Sequence, residues 1–158
     1  MEDLVKKLFT VMKEKKATLG AAESCTGGLF SSYVTDVPGS SAYFLGSVVS
    51  YSNEVKKALL HVTSSELEQY GAVSELVAQK MAEGARQVLN CSFSIGITGV
   101  AGPGGGSPEK PVGTVWFCVC SPNFVYKIKK QFSGSRRAIR EDSVKFALEL
   151  LIEKIKES

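Results

Sequence analysis

One histidine, His61, has to serve the whole chain of 158 residues. A Ser-His-Asp triad would rest on that single residue in an unpromising loop segment, so triad hydrolysis of that kind is not expected. Cysteines are few and badly placed for ligation: Cys25, Cys91, Cys118 and Cys120 lack the paired spacing, with a second pair downstream, that structural zinc sites show. No metal and no cofactor is therefore expected, and the cysteines read as reduced core residues, with Cys118 and Cys120 on one face of an apolar strand. The sequence also lacks an excess of one charge. Its formal net charge of +3, with bases and acids intermixed, is too small to argue for a nucleic-acid track and fits a small anionic ligand better. Long apolar runs are missing too. Residues 1–16 mix acids and bases with apolar residues at helical spacing, unlike a signal peptide, so a cytosolic protein with no membrane partner is the default expectation.

What is present suits an ordinary globular domain. Hydrophobic residues make up 44% and charged residues 22%. At this length one self-sufficient domain over residues 1–158 is expected, with neither repeat nor linker. The apolar periodicity predicts a helix ending near Lys13 to Lys16 and a short buried strand from Thr18 to Ala22. A helix from Gly27 and a strand from Tyr43 to Tyr51 follow. Ser52 or Asn53 can cap a helix to about Leu60, Thr63 and Glu66 spell a capping box, and Ser74 opens a longer helix. Strands at Ser92 to Thr98, Val112 to Cys120 and Phe124 to Phe132 come next, the last two joined by a turn, before an amphipathic helix from about Arg137 to Lys156. That order predicts the α/β class, as a single-domain α/β/α sandwich with a mixed sheet.

Four segments could carry chemistry. Ala22-Glu23-Ser24-Cys25-Thr26-Gly27-Gly28 packs three nucleophile types at a strand-to-helix junction, where unpaired N–H groups favour an oxyanion or phosphate. Plain helix capping by Ser24 or Thr26 would explain the same residues. Tyr51 to Lys57 places two lysines in the first turns of a helix, and a lysine becomes a general base only if its pKa is lowered by burial or a neighbouring cation. A solvated helix face is the plainer explanation. The glycine-rich stretch Thr98 to Gly106, followed by Lys110, allows several N–H groups to point at one anion, although a flexible hairpin loop would look alike. Arg136 and Arg140 stand one turn apart at a helix start, where cations oppose the dipole and call for a reason. A bound phosphate or carboxylate is one reason, and ion pairing with Glu141 and Asp142 is another.

Taken together and in order, Ala22 to Gly28, Tyr51 to Lys56, Gly71 to Ser74, Thr98 to Gly106 and Lys110 to Val115 resemble the signature of the CinA C-terminal domain over about residues 4 to 155. The resemblance implies a nicotinamide-nucleotide amidase without a metal. It would convert nicotinamide mononucleotide to nicotinate mononucleotide and ammonia in pyridine nucleotide recycling, as the stand-alone form of the family. It implies Ser24 as nucleophile and Lys56 as base, and the predicted helix N-terminus at the serine offers N–H groups, such as those of Thr26 and Gly27, to the oxyanion. The implied substrate contacts are Thr26, Gly27, Tyr51, Thr98, Gly102, Gly104, Gly105, Lys110, Arg136 and Arg140. The partner is a small-molecule nucleotide, and a homo-oligomeric assembly is left open. Two departures stand out: His61 replaces a common glycine, and Ser135 replaces a common acid before Arg136. A non-catalytic nucleotide-binding or regulatory module is the alternative from another class, and a thiol amidase using Cys25 is a third reading.

Overall fold

A computed structural model describes residues 1–158. Five strands, β1 (Leu19–Glu23), β2 (Phe44–Val49), β3 (Phe93–Gly99), β4 (Thr114–Cys120) and β5 (Val125–Gln131), form one sheet in the order β2-β1-β3-β4-β5. Strand β1 runs parallel to β2 and β3, while β4 is antiparallel to β3 and β5. The sheet is thus mixed, as the strand order in the sequence predicts.

Helices α1 (Glu2–Lys15), α2 (Leu29–Thr35) and α6 (Arg136–Glu157) bury their apolar faces with Ala21, Ile95, Ile97, Val115, Phe117 and Val119 on one side of the sheet. On the opposite side lie α3 (Asn53–Leu60), α4 (Ser64–Tyr70) and α5 (Glu75–Leu89). There Ala22 meets Leu60, Val77 and Met81, and Cys118 and Cys120 meet Ala78 and Ala82. Alternation along the strands sends successive residues to the two layers. Gly96 lets α5 lie directly on β3, since a Cβ at that position would stand 2.3 Å from the Ala78 carbonyl oxygen. All four cysteines are buried and unpaired. No helix is long and apolar enough to cross a membrane.

The capping signals are honoured. Ser52, Thr63 and Ser74 each accept an amide hydrogen bond three residues on, and Glu66 closes the box at Thr63. The second helix starts later than its apolar pattern suggests. Gly27 and Gly28 have φ of 56° and 92°, so residues 24–28 form a turn and α2 begins at Leu29. Strand β2 likewise stops at Val49, which frees Tyr51 to stand 61% exposed in the connection to α3.

Candidate active site

Strand order places the site. β1 lies between two parallel neighbours, and its connection to β2 passes over one face while the chain from β2 to β3 passes over the other. A crevice therefore opens beyond the carboxyl ends of β1, β2 and β3, where ligands bind in sheets of this kind. It has a volume of about 330 Å³ and is lined by Ser24 and Cys25 after β1, Tyr51, Asn53 and Lys56 after β2, and residues 98–102, 104 and 105 at and beyond the end of β3.

At its floor Lys56 is only 1% exposed, with its Nζ donating to Ser24 Oγ at 3.0 Å and to the Ser50 carbonyl at 2.6 Å. Both partners are neutral oxygens, so burial dominates and lowers its pKa to about 8. Lys57, by contrast, pairs with Glu54 at the surface at 2.7 Å. Beside the serine, burial pushes the Cys25 thiol up to about 12. A thiol held there stays protonated at neutral pH and is a poor nucleophile.

The turn that carries Ser24 is pinned on all sides. The Ser24 amide donates to the Ile97 carbonyl at 2.9 Å, and the Gly27 amide donates back to the Ser24 carbonyl at 3.0 Å. Arg140 Nη2 holds the Thr26 carbonyl from α6 at 2.8 Å. The amides of Cys25 and Thr26 donate to no group of the chain. The Gly27 N–H closes the turn and is not free for an oxyanion, whereas the N–H groups of Cys25, at the cleft lining, and of Thr26, fully buried behind it, stay unpaired.

Arg136 reaches into the cleft, donating from Nη1 to the Gly102 carbonyl and from Nη2 to the Tyr51 hydroxyl, each at 2.7 Å. Gly102, Gly104, Gly105 and Thr98 line the same wall, although the Thr98 hydroxyl is engaged by the Ala72 carbonyl at 2.8 Å. Four of the sequence-derived contacts do not line the cleft. Lys110 turns away because its ammonium donates to the Tyr70 carbonyl at 2.6 Å, tying the loop to the end of α4. Arg140 grips the back of the Ser24 turn, Gly27 is closed within it, and the Thr26 side chain is buried with an unpartnered hydroxyl. Sequence reasoning missed Asn53, Ala72 and Val73 in the lining and the Ser50 carbonyl that anchors Lys56. It also gave Glu23 no role. A lone acid closing an apolar strand was the available signal.

The sequence model of the CinA C-terminal domain matches residues 1–155. The chain belongs to this family. CinA-like proteins of Thermotoga neapolitana and Leptospira borgpetersenii serovar Hardjo-bovis are 47% and 45% identical to it over 157 residues, or 99% of its length. It spans 38% of the length of these curated relatives. A crystal structure of a competence-damaged protein (CinA) superfamily protein from Klebsiella pneumoniae superposes with a TM-score of 0.96 at 30% identity, covering 99% of this chain and 98% of that one. The competence/damage inducible protein CihA from Agrobacterium tumefaciens gives 0.93 at 38% identity, covering 96% and 93%.

Both departures from the CinA motifs have a structural account. His61 ends α3 in the left-handed region at φ 59°, a conformation glycine adopts freely. Ser135 caps α6 by accepting the Ala138 amide, which an acid there would also do.

Proposed function

We propose that this chain is a cytosolic amidohydrolase that releases ammonia from the carboxamide of nicotinamide mononucleotide, with Ser24 as nucleophile and Lys56 as base. The observation that carries the proposal is the buried Lys56 amine, 3.0 Å from Ser24 Oγ and facing only neutral oxygens. A protein that merely held a nucleotide would gain nothing from so costly a placement of a lysine. Family membership supports the substrate class.

In this reading neutral Lys56 takes the Ser24 hydroxyl proton while keeping its N–H on the Ser50 carbonyl, and Ser24 Oγ attacks the carboxamide carbon. The developing oxyanion meets the unpaired amide of Cys25, and the unpaired amide of Thr26 once the turn yields to admit it. As the tetrahedral intermediate collapses, the C–N bond breaks and Lys56 returns the proton to the departing nitrogen, giving ammonia and an acyl-serine. Water, deprotonated by the same amine, then cleaves the ester to the carboxylate and regenerates Ser24. Arg136, with the amides of Gly104 and Gly105, offers donors to the phosphate of the ribose arm.

Ammonia release across nicotinamide, its riboside, its mononucleotide and the dinucleotide tests the assignment. Charge-assisted hydrogen bonds contribute on the order of 1.5 to 3 kcal/mol each, so two lost with the phosphate should lower kcat/KM for the riboside more than a hundredfold. Equal values for riboside and mononucleotide would remove the phosphate site. Absence of ammonia from every member of the set would remove the amidase reading.

A further inference from the structure

Glu23, the last residue of β1, is completely buried, and its carboxylate meets no cation. Its partners are donors instead. Oε2 accepts the amides of Gly28 and Phe30, each at 3.0 Å, and Oε1 accepts the Ser31 amide at 3.1 Å, the Ser31 hydroxyl at 2.6 Å and the Ser47 hydroxyl at 3.2 Å. Three of these donors are amides that cannot reverse their role, so the pocket is shaped for a group whose two oxygens both accept. Gly28 cannot be replaced by a local capping side chain, because it is left-handed at φ 92° and capping side chains reach helix amides from extended backbone, so the carboxylate of Glu23 caps α2 from the end of β1. That arm is also a bridge. It leaves the chain just before Ser24 and rejoins it at Gly28, closing residues 24–27 into a ring that contains the serine and both unpaired amides.

We propose that Glu23 is a positioning residue for the reaction at Ser24, its carboxylate holding the ring that presents the unpaired Cys25 and Thr26 amides to the oxyanion formed beside Ser24 Oγ. This rests on the hydrolase reading above. Glu23 touches no substrate and acts through the turn. Ser31 and Ser47 supply donors from outside the ring, so their hydroxyls hold the carboxylate without defining the position of the two amides.

The test compares three variants of the full chain. Glu23→Gln keeps the shape but turns an NH2 group toward amide donors, while Glu23→Asp keeps the charge and withdraws it by one methylene. Ser31→Ala/Ser47→Ala leaves the carboxylate in place with fewer donors. Each is assayed for kcat and KM with nicotinamide mononucleotide, for thermal midpoint, and for labelling by a fluorophosphonate. In labelling, Ser24 Oγ displaces fluoride from phosphorus, the serine proton leaves with the fluoride, and the phosphoryl oxygen occupies the oxyanion position, which intact mass reads directly.

Displacement of the amides should lower kcat and the labelling rate by about a hundredfold in both Glu23 variants, with KM within about threefold of wild type. The double alanine variant should lose thermal stability yet keep kcat within about threefold. One folded Glu23 variant suffices for the comparison. Labelling of it at the wild-type rate overturns the assignment, as does a kcat that simply tracks thermal midpoint across all the variants, or a wild type that resists labelling. If wild type releases no ammonia from the mononucleotide but is labelled, the substrate reading falls alone and the labelling rates still decide the role of Glu23.

Discussion

Replacing Lys56 by Met removes an amine while keeping most of an unbranched stem, and both consequences can be worked from its surroundings. Burial takes the lysine from 10.5 to about 8. At pH 7 about one molecule in ten then carries the neutral amine, some 300-fold more than an unperturbed lysine would supply. Loss of a general base lowers rates by roughly 10² to 10⁴, and kcat/KM for the mononucleotide should fall within that range. The wild-type rate should rise with pH and level off above about 8, and this limb should be missing from the variant. Stability gives a second, independent readout. Between about pH 8 and 10.5 the unfolded chain still binds the lysine proton and the folded chain does not, so wild-type stability rises with pH across that window. The full rise corresponds to roughly 3 kcal/mol. Lys56→Met lacks this dependence, so the difference between the two proteins in urea melts should move by that amount in favour of wild type from pH 7 to 10.5. Lys57→Met, which removes a surface pair with Glu54, should change neither measurement by much. A methionine variant retaining more than a tenth of wild-type kcat/KM, or a flat stability difference over the window, would refute the base assignment.

Other outcomes are expected from the same geometry. Ser24→Ala should abolish ammonia release while leaving the thermal midpoint and mononucleotide affinity nearly unchanged, checked by calorimetry. Cys25→Ala should retain turnover within about tenfold, and iodoacetamide should inactivate wild type slowly at pH 7, because the thiol is buried and held near 12. Arg136→Ala should raise KM for the mononucleotide by about tenfold or more with a smaller change in kcat, whereas Arg140→Ala, which frees the Thr26 carbonyl behind the nucleophile, should lower kcat chiefly. Steady-state kinetics separate the two arginines.

Much of this architecture was legible in the sequence because its signals are local. Ser52, Thr63 with Glu66, Ser74 and the turn after Cys120 report on atoms within a few residues, and β1, β3 and β4 follow from apolar runs that the sheet buries on both faces. Of the cations at the start of α6, Arg136 meets a carbonyl and a phenol across the cleft. Helix phase alone could not say that Lys56 turns inward and Lys57 outward, because that depends on which face α5 and the sheet cover. Arg136 and Arg140 stand one turn apart on α6, yet one meets Gly102 and Tyr51 in the cleft and the other the Thr26 carbonyl behind the Ser24 turn, partners that only the tertiary structure brings near. Lys110 was misplaced because a carbonyl 40 residues earlier in the chain captures its ammonium. The start of α2 slipped because an apolar pattern does not register the positive φ of the two glycines before it.

The serine and lysine both come from the first 56 residues of the chain, whereas the guanidinium that steadies the serine's turn comes from α6, 114 residues beyond Thr26. α6 also carries Ile139, Val144, Leu148 and Leu151 into the main core, so its docking is part of folding itself and not a late ornament. Contacts spanning so much sequence form late, after loop-closure entropy has been overcome. On refolding, the serine's turn is braced only as that shared core closes, so catalysis should recover together with the signal of the packed core and not ahead of it.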